Sequence, residues 1–291
     1  MSTTAEITVT PESVTVDGRT RTLTVVHHQH AGAGPVPIVL VFHGSMQTAA
    51  AIRSFTAGTF DRIGAQSGAV VAYLDGHKKH WNDARITNTS AARTDGVDDV
   101  AFAKAAIDLL QRRYGGDRAQ VHAVGFSNGG QLVVRLIHEV PEALAGAAIL
   151  SATQSVPENF APDSPRQQPL PVLLVHGTQD PIVPYDGGMA KMYRFRPRGL
   201  GLSAPDTAAY YARRNGITAA PVVTPASPPS QVDRTEYRQP GHQPVTLCTV
   251  REGGHTIPGP KTARPRFLLG RTDTTFDTAG AINDFFGFPA R

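Results

Sequence analysis

The sequence predicts an α/β architecture: a mostly parallel central sheet with helices on both faces. Two observations carry this. Short apolar, β-branched runs read as strands covered on both sides, and helix-length stretches alternate with them. The length of 291 residues, with 40% hydrophobic and 18% charged side chains, suits a chain that buries a core. One domain over 1–291 is the reading, with 1–35 as N-terminal edge strands and 184–235 as an irregular insertion.

Residues 6–10 and 20–28 alternate polar and apolar side chains, the pattern of antiparallel edge strands. The pattern then changes to the fully apolar Val36–Phe42, followed by similar runs at 69–74, 120–125 and 172–175. Helical stretches at 48–66, 97–114 and 130–140 separate them. Residues 151–170 read as a loop. The proline-rich 217–230 reads as an excursion, after which Val245–Val250 resumes the strands. Asp277 is placed to cap a closing helix that carries Ala281, Ile282, Phe285 and Phe286.

Composition excludes several functions. A formal charge of +4 spread over this length does not argue for nucleic acid. No run of about 18 apolar residues is present to span a membrane. Cys248 is the single cysteine, which excludes an intrachain disulfide and any cysteine-built metal cage. The first ten residues lack the charged start and apolar run of a signal peptide. The chain as written therefore fits the cytoplasm, or a secreted protein whose signal has been removed. His27, His28 and His30 sit together without carboxylates, so no metal site is expected. Lys191, Arg194, Arg196 and Arg198 read as a solvated basic loop.

The segment Gly125-Phe126-Ser127-Asn128-Gly129-Gly130 lies between an apolar strand and a helix. Acyl transfer needs a nucleophile pushed out on such a tight turn, with glycines where side chains would clash. Read alone, the weaker alternative is a glycine-rich turn whose serine merely caps the helix. Context favours chemistry. Asp180 follows the strand at 172–175, and His255 stands on a glycine loop after Val245–Val250. Serine, acid, histidine is the chain order of the α/β-hydrolases. That fold builds its oxyanion hole from two backbone amides, here those of Ser45 and Asn128. His43 and His176 read as buried braces. Trp81 serves either to stack on substrate or to anchor its loop. Asp98 and Asp99 suit the start of a helix.

Together, HGSMQTAA (43–50), YLDG and WNDAR (73–85), DGVDDVAF (95–102), GFSNGG (125–130), HGTQDPIVPY (176–185) and EGGHTIPG (252–259) resemble the polyhydroxybutyrate depolymerase and feruloyl esterase family. The lipoprotein-type esterase group looks closest. The resemblance runs from about residue 37 to the closing helix. It implies a serine carboxylic ester hydrolase that needs no cofactor, with Ser127 as nucleophile, His255 as base and acid, and Asp180 as orienting carboxylate. Two cysteines common in the family fall on Ile217 and His242 here. Ile257 replaces a common tryptophan, which places it as a second candidate substrate contact beside Trp81.

The expected substrates are small soluble esters, hydroxyalkanoate oligomers or feruloyl-type esters. A histidine base must be neutral to accept a proton, so turnover should fall in acid. An acyltransferase using the same acyl-enzyme remains open, as does a non-catalytic binding protein with the same fold.

Overall fold

The computed structural model describes residues 7–28, 34–192, 196–260 and 266–288. Glu6, His30 and Arg194, which entered the readings above, lie outside the described residues. In chain order the elements begin with β1 (Ile7–Val16), β2 (Arg19–His28), β3 (Val36–Phe42), α1 (Ala49–Phe55), α2 (Asp61–Ser67) and β4 (Val70–Leu74). Then come α3 (Ala91–Thr94), α4 (Asp99–Tyr114), β5 (Gly116–Phe126), α5 (Asn128–Glu139), β6 (Gly146–Leu150) and β7 (Val172–Gly177). The remainder is β8 (Gly188–Met192), β9 (Arg196–Gly201), α6 (Ala204–Arg214), β10 (Val222–Thr224), β11 (Val232–Tyr237), β12 (Val245–Val250), α7 (Arg266–Leu269) and α8 (Thr278–Phe286).

Ten strands form one sheet in the order β1-β2-β4-β3-β5-β6-β7-β12-β11-β10. The six central strands run parallel, and antiparallel pairs flank them at both edges. Side chains alternate across a strand, and β3 shows the consequence. Ile38, Leu40 and Phe42 join the core under α4, α5 and α6, while Val39 and Val41 join the core under α1, α2 and α8. Helices therefore cover both faces, the α/β-hydrolase arrangement.

Three elements differ from expectation. The helix expected over 48–66 is two helices, because Ala57 and Gly58 adopt left-handed φ values of 48° and 70°. Strand β6 was not anticipated. Its Gly-Ala-Ala start has weak strand propensity, and pairing on both sides by β5 and β7 overrides that. The stretch 184–235 is not irregular: it holds the β8–β9 hairpin, α6, β10 and the start of β11. Ser203 caps α6 by accepting from the Asp206 amide at 2.9 Å.

Near 215–242, where the family's two cysteines would sit, the His242 ring donates from Nδ1 to the Asn215 carbonyl at 2.8 Å. Asn215 also accepts from the Leu170 amide and donates to the Leu170 and Gln243 carbonyls. Hydrogen bonds tie these segments together here. Asp98 caps α4 through the Ala101 amide at 2.8 Å, whereas Asp99 is fully buried and accepts from Arg21 and the Asn82 amide at 2.7 Å each.

Candidate active site

Ser127 sits on the turn from β5 into α5 with φ 54° and ψ −116°. A non-glycine residue holds such a backbone only where its surroundings impose it. Its N–H donates to the Leu150 carbonyl at 2.9 Å, and its carbonyl accepts from the Gln131 amide at 3.0 Å. A side chain on Gly125 would collide with the Gly129 carbonyl. One on Gly129 would strike the Phe42 carbonyl, and one on Gly130 would start 2.8 Å from the Ala152 methyl. Close approach of strand and helix thus requires all three glycines.

The loop after β12 carries His255 to this turn. His255 Nε2 lies 2.9 Å from Ser127 Oγ, and Nδ1 lies 2.7 Å from Asp180 Oδ2. With its proton on Nδ1, the imidazole donates to Asp180 and accepts from the serine hydroxyl. The other carboxylate oxygen, Oδ1, accepts from the Ile182 and Val183 amides at 2.8 Å each. Burial alone would raise the Asp180 pKa. The facing His255, His176 and the Val183 amide outweigh it and hold the pKa below the usual carboxylate range. Asp180 is therefore an anion in the folded protein.

The turn after β3 is pinned on both sides of Ser45. Gly44 donates its amide to Gln47 Oε1 at 2.9 Å, and Met46 donates to the Lys79 carbonyl at 2.9 Å. The amides of Ser45 and Asn128 have no hydrogen-bond partner among the described residues. Both residues line the cleft beside Ser127. Two unengaged donors at one spot are what a developing oxyanion needs.

Trp81 and Ile257 require correction as substrate contacts. Both are fully buried, and neither lines the cleft. Trp81 donates from Nε1 to the His43 carbonyl at 2.8 Å and packs edge-on against Phe42, so it anchors its loop. Ile257 is part of the core beneath α8. His43 donates from Nδ1 to the Gly44 carbonyl and accepts from the Gly76 amide, with burial pulling its pKa down to about 4. His176 donates to the Val183 carbonyl at 2.9 Å. Arg198, read as part of a solvated loop, borders the cleft instead.

One group of site residues escaped the sequence reading. The Asn128 side chain accepts from the Trp81 amide at 2.9 Å and donates to Asp83 Oδ2 at 2.6 Å. Asp83 is fully buried and held by the Arg85 guanidinium. The WNDAR run therefore fixes the residue that follows Ser127. The motif is plain in the sequence, but the partner of Asp83 lies 45 positions away.

A model of the phospholipase/carboxylesterase family matches residues 70–195. NocK of Nocardia uniformis subsp. tsuyamanensis, assigned as an esterase, is 29% identical over 97% of this chain and 83% of its own length. Feruloyl esterase B of Piromyces equi is 26% identical over 77% of this chain, which spans only 40% of that protein. Among solved structures, the acetyl xylan esterase of Aspergillus awamori superposes with a TM-score of 0.65 at 13% identity. That superposition covers 96% of this chain and all of the other, and at such identity it speaks to the fold.

Proposed function

The chain being a carboxylic ester hydrolase, an α/β-hydrolase of feruloyl-esterase type, we propose that it works as one domain through an acyl-enzyme on Ser127. The observation that carries this reading is the unbroken line from Asp180 through His255 to Ser127 Oγ, ending beside two unengaged amides. His255 Nε2 takes the hydroxyl proton as Oγ attacks the ester carbonyl carbon. The Ser45 and Asn128 amides hold the oxyanion while Asp180 stabilises the imidazolium. Collapse breaks the carbon–oxygen bond to the alcohol, and His255 returns the proton to that oxygen. Water then repeats the sequence and frees the acid. The substrates are small or oligomeric esters.

Exposure to a fluorophosphonate should leave one adduct on the peptide carrying Ser127, and the Ser127→Ala protein should take up none. An adduct elsewhere, or no adduct, removes the reading and favours a binding protein.

Asp83 is a positioning residue in this scheme. Asp83→Ala frees the Asn128 side chain and loosens the turn that aims the Asn128 amide. A misplaced oxyanion donor costs about 10²-fold in kcat. The expected loss is of that order, with KM for p-nitrophenyl acetate nearly unchanged. A rise in KM at constant kcat would instead mark Asp83 as a contact to the bound ester.

A further inference from the structure

The cleft at Ser127 has two lobes that meet at Ser45, Ser127 and Ile182, and only one of them touches His255. We propose that the enzyme selects esters joining a short acyl group to a bulky apolar alcohol. This rests on the roles given above to Ser127 and His255. As Oγ bonds to the acyl carbon, the bond from that carbon to the alcohol oxygen breaks. The serine proton travels through Nε2 to the departing oxygen. That oxygen must come within hydrogen-bond reach of Nε2, so the rest of the alcohol occupies the lobe that His255 lines.

This lobe is wide. Its volume is about 700 Å³, and Met46, Phe55, Phe126, Leu268 and Leu269 give it apolar walls. The Phe55 and Phe126 rings stand 5.6 Å apart. The acyl chain, on the other side of the carbonyl carbon, is left with the second lobe. That one is far smaller, about 30 Å³.

The narrow lobe is closed by a wall that is tied down. Its sides include Ala152 and Thr153 on the loop after β6, and Gly199 and Gly201 on β9. Thr87 Oγ1 donates to the Arg198 carbonyl at 3.0 Å and Asn159 Nδ2 to the Leu200 carbonyl at 3.1 Å. The Leu202 amide donates to the Gln154 carbonyl at 2.8 Å. A side chain on Gly201 would start 2.6 Å from Thr153 Oγ1. Widening the slot means breaking these contacts. A methyl or short chain suits it better than an aryl acid.

Two isomers separate the lobes: 2-phenylethyl acetate carries its ring on the alcohol, and ethyl phenylacetate carries it on the acid. Misfit of even one or two carbons in a tight pocket costs about tenfold or more. The expected kcat/KM is accordingly at least about tenfold higher for 2-phenylethyl acetate. With the leaving group held constant, p-nitrophenyl acetate should exceed p-nitrophenyl phenylacetate by a similar factor, and Thr153→Ala should narrow that second ratio. Equal or reversed preference within either pair, or methyl ferulate turned over faster than 2-phenylethyl acetate, overturns the assignment of the lobes. In that event the fluorophosphonate adduct on Ser127 still stands. A protein that neither labels nor cleaves p-nitrophenyl acetate loses both readings together.

Discussion

Replacing Ser127 by alanine is expected to lower kcat toward p-nitrophenyl acetate by about 10⁶-fold, and His255→Ala by a similar factor. The two side chains act as one unit, because the hydroxyl is a poor nucleophile until Nε2, 2.9 Å away, accepts its proton. The double variant should therefore be scarcely worse than either single one. Asp180→Asn keeps the shape but favours the wrong tautomer of His255, at an expected cost of about 10⁴-fold. Residual catalysis about 10³-fold over water should survive in all of them, carried by the Ser45 and Asn128 amides. Multiplicative losses in the double variant would mean that serine and histidine serve separate steps. Activity within tenfold of the parent in Ser127→Ala would exclude it as nucleophile.

The site was legible where chemistry and sterics make the same demand. Gly125, Gly129 and Gly130 flank Ser127 because strand and helix approach too closely for a Cβ, and the same turn presents the serine hydroxyl. Asp180 and His255 were found because each follows a strand end, which is where a parallel sheet gathers its loops. Trp81 and Ile257 were misplaced because burial is decided by distant packing. Nothing near Trp81 in the chain announces that the His43 carbonyl will accept its indole N–H. Asp83 was missed for the same reason, its partner Asn128 being remote in sequence.

The fold divides similarly. Apolar runs such as Val36–Phe42 announce themselves, whereas Gly146–Leu150 becomes a strand through its neighbours on both sides. In 184–235, the prolines near 221–229 signal irregular backbone. The cap at Ser203, with Pro205 and Asp206 in the first turn, is a local signal for α6 that those prolines mask.

Lowering the pH from 7 to 4.5 is expected to strip most of the protein's stability through buried histidines that take no part in the proposed proton transfers. His43, His122 and His138 are all buried, and desolvation pulls each pKa from 6.5 down to about 4. His80 and His176 are shifted the same way by burial. Above 6.5 these groups are neutral in both folded and unfolded chains and contribute no pH dependence. Between 6.5 and 4 the unfolded chain binds protons that the folded one refuses, so stability falls as pH falls. Each of the three is worth about 3 kcal/mol across that window, at about 1.4 kcal/mol per unit. Their sum is comparable with the whole stability of an ordinary domain, roughly 5–15 kcal/mol. Asp99 opposes the trend, since burial raises its pKa and its protonation in acid favours the folded state. One carboxyl offsets only part of a loss shared among five histidines. Urea midpoints measured at half-unit steps should show this decline. In His122→Gln the slope should be shallower, because a ring that packs on Phe286 and Phe288 at 4.5 and 4.6 Å no longer titrates. Midpoints that stay level from pH 7 to 5 would show that these histidines accept protons without unfolding the chain.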